Sequence, residues 1–182
     1  MAEITQIRLS GFGGQGIILA GTLLGQAGVI DGKYVAESSS YGAQARGSGC
    51  KSEVVFSDRP IDFPRVTVAD ILLVMSQGAY DAYHNDVKAG SGIILYEEGQ
   101  VVAKEGLNVK QIGIPATEYA IQKLKNSQVA NIIFLGALIE ISKIVPSLAI
   151  RKAIRAHVSE RFRSLNLRAI RIGTDLGRKV RG

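Results

Sequence analysis

A glycine-rich segment near the N-terminus, GFGGQGIILAG at residues 11–21, has the composition of a loop that approaches a ligand with its backbone. Gly11, Gly13 and Gly16 match the pattern GxGxxG after a predicted strand and at the start of a helical pattern, and Gly14 is a further position without a side chain. The first N–H groups of a helix lack helical partners and carry a partial positive charge, which favours a phosphate group as the ligand. Glycines are also required where a strand turns sharply into a closely packed helix, so the spacing alone leaves both interpretations open.

A second glycine-bearing stretch, SSSYGAQARGSGCKSEVVFSD at residues 38–58, holds three polar candidates: Tyr41, Gln44 and Arg46. The Arg46 guanidinium can pair with two oxygens of a phosphate or carboxylate, or it can form an exposed ion pair. Tyr41 and Gln44 can orient a ligand, or they can pack and hydrogen-bond within the loop.

Two amides are further candidates for the same site. Gln15 lies within the glycine segment and can donate a hydrogen bond to a phosphate, although an exposed helix start explains it almost as well. Asn131 lies in the apolar run 129–145, where an unpaired amide would cost roughly 1–3 kcal/mol. We therefore expect Asn131 to bond to the backbone of a neighbouring loop or to a ligand.

The chain offers little for metal binding or nucleophilic catalysis. Its single cysteine, Cys50, cannot form an internal disulfide or by itself hold zinc or an iron–sulfur cluster. The two histidines, His84 and His157, form no recognisable arrangement with Cys50. We expect Cys50 to be a small core residue and predict no metal or cofactor bound by this chain alone.

Short apolar and β-branched runs alternate with helical patterns, which is typical of a mainly parallel sheet covered by helices. We predict a single Rossmann-like α/β domain over residues 1–182, with strands at 4–10, 33–38, 51–57, 69–76, 90–96 and 107–115. The runs at 69–76 and 90–96 are apolar almost throughout, so they are expected in the middle of the sheet. The predicted helices are 14–30, 118–126 capped by Thr117, the largely buried 129–145, and two basic C-terminal helices.

The first of these C-terminal helices begins at Pro146 and has an apolar face of Ile150, Ile154, Val158 and Phe162; the second begins near Leu165. Residues 143–182 carry eleven of the 22 Lys and Arg residues but only two of the 16 Asp and Glu residues. Such a block can bind nucleic acid, bind an acidic partner surface, or form a solvated helix face. Phe162 is its one aromatic residue, and without a stacking platform we expect no nucleic-acid binding.

Composition and hydropathy favour an ordinary soluble domain, with 46% hydrophobic and 21% charged residues. No apolar run reaches the roughly 18 residues that a membrane span requires, and the N-terminus lacks the pattern of a secretory signal. A cytoplasmic protein without a membrane segment is therefore predicted.

Four separated motifs resemble the gamma subunit of the 2-oxoacid:ferredoxin oxidoreductases: GFGGQGIILAG, SYGAQARG, IPATEYA and VANIIFLGAL. The likeness extends over nearly the whole chain, from the first predicted strand to NLRAIRIG. In that family thiamine diphosphate cleaves a 2-oxoacid, iron–sulfur clusters carry electrons to ferredoxin, and coenzyme A accepts the acyl group.

The resemblance implies a subunit that is inactive alone. Thiamine diphosphate and the iron–sulfur clusters would belong to partners, namely thiamine-binding alpha and beta subunits and a ferredoxin-like delta subunit, with ferredoxin as electron acceptor. This chain would help to bind coenzyme A at a subunit interface and shape the active-site entrance. The residues proposed for that contact are Gly11, Gly13, Gly14, Gln15, Gly16, Tyr41, Gln44, Arg46 and Asn131.

Within the family, SYGAQARGS after GFGGQG looks more like the 2-oxoglutarate enzymes than the pyruvate enzymes, and a branched-chain 2-oxoacid is a further alternative. Two positions depart from the family pattern: Glu97 and Glu98 follow a strand after which many relatives have aspartate, and Lys125 replaces a common glycine. Two rival functions remain at this stage. One is a stand-alone NAD(P)-binding protein with Glu37 on the ribose, and the other is a non-catalytic assembly module whose glycine loop only packs.

Overall fold

The structure is a computed structural model that describes residues 4–41 and 49–181. Within these residues the strands are β1 (Ile4–Phe12), β2 (Tyr34–Tyr41), β3 (Gly49–Ser57), β4 (Ile71–Val74), β5 (Ile93–Glu97) and β6 (Lys110–Ile114). The α-helices are α1 (Ile17–Ile30), α2 (Gln77–Tyr83), α3 (Ala116–Leu124), α4 (Ala130–Ser142), α5 (Ser147–His157) and α6 (Glu160–Arg181). Every predicted strand overlaps an observed one, whereas the short helix α2 was not predicted.

The strands form one sheet in the order β2-β3-β1-β4-β5-β6. β3 is antiparallel to both of its neighbours, and the other five strands run in one direction. The predicted α/β class with a mainly parallel sheet is therefore confirmed. β4 and β5 are interior strands, as predicted, and β4 is buried at every position because the sheet is covered on both faces.

The larger core lies between the sheet and helices α1, α3 and α4, with α5 and α6 packed against α1 and α4. The opposite face is covered by α2 and apolar residues from the segment 98–109. No helix in the described part of the chain has the length and apolar character that would let it cross a bilayer.

A buried ion pair fixes the register of β1 against β3. Arg8 and Glu53 lie directly opposite each other, and Arg8 Nε donates to Glu53 Oε1 over 2.8 Å. Arg8 also donates to Asp86 Oδ2 at 3.0 Å and to the Val66 carbonyl at 2.9 Å. Each nitrogen of this buried guanidinium therefore has a hydrogen-bond acceptor. A shift of β3 by one residue would turn Glu53 to the other face and leave Arg8 without that partner.

The C-terminal segment forms two basic helices, but their boundary differs from the prediction. α5 ends at His157 because Val158 has extended backbone angles, φ −96° and ψ 132°, and Arg163 Nε donates to the Val158 carbonyl over 2.9 Å. α6 begins at Glu160, and Phe162 therefore lies beyond the break with 46% of its surface exposed. The prediction that Phe162 continues the buried face of the helix from Pro146 is wrong.

Helices α4 and α6 cross with their backbones in contact. A Cβ atom added to Gly173 would overlap the carbonyl oxygen of Ile133, and one added to Gly136 would lie too close to the carbonyl of Ile170. Glycine at both positions lets the two helices approach more closely than any larger residue allows. α6 is thus held rigidly against the buried helix that begins beside the glycine loop.

This contact generates a stability prediction. We expect Gly173→Ala to lower the free energy of unfolding by about 1–3 kcal/mol, because the helices must separate to admit the methyl group, although alanine is the better helix former. Ser164→Ala, at an exposed position of the same helix, is the control and should change stability by less than about 0.5 kcal/mol. Urea unfolding followed by circular dichroism measures both, and equal stability of the two variants would contradict the close crossing.

A buried carboxylate, not Thr117, caps helix α3. The helix begins at Ala116, so Thr117 lies inside its first turn, and the Thr117 backbone N–H donates to both carboxylate oxygens of Glu97 at 3.2 Å. Glu97 ends β5 with 1% of its surface exposed. Burial raises the pKa of the Glu97 carboxyl above its ordinary value, and the hydrogen bonds from Thr117 oppose that rise.

The raised pKa has a consequence for stability. A carboxyl whose pKa is higher in the folded than in the unfolded chain adds stability below its unfolded pKa of about 4.3, and that stability is lost as the pH rises through the folded pKa. We therefore expect Glu97→Gln, which cannot ionise, to gain free energy of unfolding relative to the wild type as the pH rises above about 4, the unfolded pKa of a glutamate. Glu105→Gln removes a charge at an exposed position that does not contribute to the Glu97 shift and is the control. A difference between wild type and Glu97→Gln that does not change with pH in urea unfolding would contradict the raised pKa.

Candidate functional site

The glycine segment forms the connection between β1 and α1. Gly11 is still paired in β1 opposite Cys50, Gly13 and Gly14 form an exposed turn, and Gly16 is the N-cap of α1. Gly14 has φ 95° and Gly16 has φ 73°, both in the left-handed region that other residues rarely occupy. α1 therefore begins at Ile17 and not at the predicted Gly14.

The loop lies at the point where the sheet topology changes direction. From β1 the chain proceeds to the β2 edge, whereas from the adjacent parallel strand β4 it proceeds through β5 to the β6 edge. The carboxyl ends of two such strands form a crevice where ligands commonly bind in open α/β sheets.

Gln15 joins the two sides of this crevice. Its Oε1 accepts from the Phe12 N–H over 2.7 Å, and its Nε2 donates to the carbonyl of Met75, which follows β4, over 2.9 Å. These bonds hold the loop against β4 and give Gln15 a positioning role. Direct contact between Gln15 and a ligand stays a prediction.

Asn131 fixes the loop from the other side. Its Nδ2 donates to the Gly16 carbonyl over 2.9 Å, so the predicted bond to the backbone of a neighbouring loop is confirmed. A Cβ atom added to Gly16 would overlap the Asn131 side chain, and Gly16 is therefore required by its contacts as well as by its φ. Asn131 is 3% exposed, and its Oδ1 has no hydrogen-bond partner among the described residues.

The N-terminus of α1 keeps its positive end uncovered by protein carboxylates. No side chain of the described residues caps the helix, and its first turn holds no acidic residue. The N–H groups of Ile17 and Leu19 have no partner within the helix, because the first helical bond is donated by Ala20 to Gly16. This end of the helix favours an anion.

Cys50 lies beside this helix end and behaves as a core residue, as predicted. It is 3% exposed, and burial raises the pKa of its thiol while a hydrogen bond from the Ile18 N–H opposes the rise. A thiol with a raised pKa is protonated at neutral pH, which does not suit a nucleophile.

A cavity of about 570 Å³ opens over the glycine loop and the first turn of α1. Exposed Phe12, Leu19 and Tyr41 lie on its lining together with His157, the last residue of α5. Tyr41 thus joins the glycines, whereas the other two loop candidates, Gln44 and Arg46, lie outside the described residues. His157 was not predicted here, because its helical pattern indicates only a surface position and the packing of α5 on α1 brings it to the loop.

Glu37 does not lie where a dinucleotide fold requires it. In those folds β2 neighbours β1, but here β3 separates them. The Glu37 carboxylate accepts from Thr22 Oγ1 over 2.8 Å and lies beside Gly21 and Gly25, five to nine residues past Gly16, which corresponds to about 8–13 Å along the helix. The geometry therefore disfavours a nicotinamide site built on Glu37.

Comparison with known proteins identifies the family to which this chain belongs. Residues 6–176 match the family model described as pyruvate ferredoxin/flavodoxin oxidoreductase. The chain belongs to this family, and the resemblance carried by the four sequence motifs is confirmed.

Two relatives are subunits of about the same length as this chain. The chain is 44% identical over 178 residues to the 2-oxoglutarate synthase subunit KorC of Methanocaldococcus jannaschii, with 96% of this chain and 95% of the relative covered. It is 30% identical to the pyruvate synthase subunit PorC of Thermotoga maritima, with 92% of each covered. The crystal structure of the gamma subunit of a keto/oxoacid ferredoxin oxidoreductase from Geobacter sulfurreducens PCA superposes with a TM-score of 0.87 at 35% identity, covering 97% of this chain and 98% of that one. The chain therefore has the fold of such a gamma subunit and is a subunit of an oxidoreductase complex.

The contact between Gly16 and Asn131 can be tested by a double-mutant cycle. We expect Gly16→Ala to lower the free energy of unfolding by about 2–4 kcal/mol, from a strained φ together with overlap with Asn131. Gly14→Ala is the matched control: its φ is also positive but an added Cβ meets nothing within 4 Å, so it should cost only about 1–2 kcal/mol.

Asn131→Ala removes the overlapping side chain, so adding Gly16→Ala to it should cost less than Gly16→Ala costs in the wild type. Chemical unfolding of the four proteins measures the coupling. Additive losses would show that the two residues do not constrain each other.

Proposed function

We propose that this chain is the gamma subunit of a 2-oxoglutarate:ferredoxin oxidoreductase and that its glycine loop contributes to the coenzyme A site. The observation that carries the substrate class is full-length similarity to four 2-oxoglutarate synthase KorC subunits at 35–44% identity. The identity falls to 28–30% for ketoisovalerate and pyruvate enzymes.

The complex would convert 2-oxoglutarate and coenzyme A to succinyl-CoA and carbon dioxide, with two electrons passing to ferredoxin. Thiamine diphosphate on the alpha and beta subunits would supply the carbon nucleophile that permits decarboxylation, and iron–sulfur clusters in partners such as a ferredoxin-like delta subunit would carry the electrons. The sequence holds one cysteine, and no group of three or more potential metal ligands occurs in residues 4–41 and 49–181, so we assign the iron–sulfur clusters to the partner subunits.

The chemistry of coenzyme A matches the described residues. The uncapped N-terminus of α1 suits the pyrophosphate, because its N–H groups and helix dipole face an anion without a competing carboxylate. The exposed side chains of Phe12 and Tyr41 suit the apolar and aromatic parts of the molecule. The unpartnered Oδ1 of Asn131 offers a buried acceptor next to Gly16.

A fold likeness is consistent with this assignment. A 2-oxoglutarate:ferredoxin oxidoreductase from Magnetococcus marinus was solved with 2-oxoglutarate, coenzyme A and succinyl-CoA bound, and it superposes on this chain with a TM-score of 0.86 at 22% identity. The match covers 97% of this chain and 31% of that one, and at this identity it concerns the fold. In our proposal neighbouring subunits complete the pocket, whose rim in this chain is open and partly apolar.

The coenzyme A site can be tested at Leu19, in the first turn of α1 and 41% exposed on the cavity. In the reconstituted complex we expect Leu19→Glu to raise the apparent KM for coenzyme A at least about tenfold, because a carboxylate at the helix N-terminus competes with the anionic ligand while favouring the helix itself. Leu19→Gln has the same shape without the charge and should leave the KM within about threefold of the wild type.

Three readouts separate the alternatives. The KM for 2-oxoglutarate should change little in both variants, and turnover of 2-oxoglutarate should exceed that of pyruvate and of a branched-chain 2-oxoacid. Arg46→Ala, compared with Arg46→Lys, tests the arginine predicted from sequence by the same assay. An unchanged affinity for coenzyme A in both Leu19→Glu and Arg46→Ala would contradict a coenzyme A site at this loop. A defect in assembly alone would favour the non-catalytic assembly module.

A further inference from the structure

Five arginines line a single groove on the outer face of the C-terminal helices. Arg151 and Arg155 come from α5, and Arg163, Arg168 and Arg171 come from α6. The groove has a volume of about 630 Å³, and its other lining residues are Glu160, Ser164 and Leu167. We call it the arginine groove.

These arginines lack acidic partners within the described structure. No carboxylate of residues 4–41 or 49–181 lies within 4.0 Å of any of the five guanidinium groups. Three other basic residues of the C-terminal block are paired, since Lys143, Arg178 and Arg181 all approach Glu140. The basic block therefore divides into a set that stabilises the fold and a set whose charge is not balanced within the described chain.

The arginine groove is built on rigid supports. α6 is fixed against α4 by the backbone contact at Gly173, and α5 packs on α1. The bend between the two helices is fixed by the bond from Arg163 Nε to the Val158 carbonyl. Five like charges on such a platform repel one another, and an anionic partner would relieve that repulsion. All five are arginine, whose planar fork binds a carboxylate through two parallel hydrogen bonds.

The surroundings of the groove favour a protein partner over nucleic acid. Arg168 is shared with an adjoining cavity of about 380 Å³, whose apolar walls are Ile172, Leu176 and Tyr119. The charged residues of this cavity are Lys123, Lys179 and Asp175, and the Asp175 carboxylate accepts from Arg178 over 3.2 Å. An acidic amphipathic segment can use both parts, with carboxylates on the arginines and apolar side chains in the second cavity. The lining of the groove contains no aromatic residue on which a base could stack, and Phe162, the aromatic residue of the basic block, lies outside it with Arg161 at 5.2 Å from its ring centroid.

We propose that the arginine groove binds a carboxylate-rich amphipathic segment of a companion subunit and thereby holds this chain in its oxidoreductase complex. The proposal rests on the function proposed above, because that function supplies the companion subunits. It assigns the net positive charge of the C-terminal helices to assembly and not to substrate binding.

The test is reconstitution of the whole complex with charge-reversed variants. We expect Arg155→Glu combined with Arg171→Glu to weaken binding to the companion subunits at least tenfold and to lower the NaCl concentration at which the complex dissociates. Lys152→Glu combined with Arg161→Glu makes the same charge change on the same two helices outside the groove, and it should stay within threefold of the wild type. The conservative pair Arg155→Lys and Arg171→Lys keeps the charge but loses the fork and should give an intermediate loss. Circular dichroism melts check that all variants fold.

Each outcome decides the proposal. Wild-type assembly by the groove variant, or equal losses in the groove and control variants, would overturn it. An intact complex with a raised KM for ferredoxin would identify the soluble electron acceptor as the occupant and overturn the companion-subunit assignment. Groove-dependent binding of a mixed-sequence oligonucleotide at 150 mM salt, about physiological ionic strength, would overturn it in favour of nucleic acid. Failure of the wild-type chain to assemble with any companion would instead refute the proposed function.

Discussion

Helix α4 must pack closely against its neighbours at its start, its middle and its end, and the positions of the surrounding elements depend on this packing. At the start of α4, Asn131 packs against Gly16 and donates a hydrogen bond to its carbonyl. In the middle of the helix, Gly136 contacts the backbone of α6. Near its end, Glu140 forms ion pairs with Lys143 and with basic residues of α6. The hydrogen bond from Lys143 is the main effect that lowers the pKa of Glu140. Because α4 is buried on nearly all sides, it cannot move away from one neighbour without exposing apolar surface to water. The glycine loop and the basic C-terminal helices are therefore positioned by the same element.

The antiparallel strand β3 separates the dinucleotide-like loop from the acid that a dinucleotide fold places beside it. Its insertion beside β1, fixed by the Arg8–Glu53 pair, moves β2 and Glu37 one strand away from the glycine turn. The backbone geometry of the loop suits a phosphate, but the acid that would bind a ribose in a dinucleotide fold does not lie beside it. A ligand at this loop must obtain its remaining contacts elsewhere, which agrees with an open cavity rimmed by exposed apolar side chains in a subunit of a larger complex.

Much of this organisation was predictable from the sequence, because it depends on local patterns. Continuous apolar runs predicted the interior strands β4 and β5. A strand followed by GxGxxG and then by a helix predicted the loop that lines the cavity. Asn131 was identifiable as a constrained residue because an amide in an apolar helix must be hydrogen-bonded. The errors also have local causes. Thr117 has a side chain that often caps a helix, but Pro115 occupies the N-cap position of α3. The capping hydrogen bonds are accepted by the carboxylate of Glu97, at the end of β5.

The sequence by itself determined the fold class, the glycine loop and the unequal distribution of charge, since periodicity, turn residues and composition are properties of neighbouring positions. Tertiary structure alone decided that β3 would separate β2 from β1 and that Gln15 would bond across the crevice to Met75. It also decided which arginines would be paired with Glu140 and which would meet in one groove. These outcomes depend on contacts between residues tens of positions apart in the sequence. Such contacts contribute to stability only once the helices and strands have packed together.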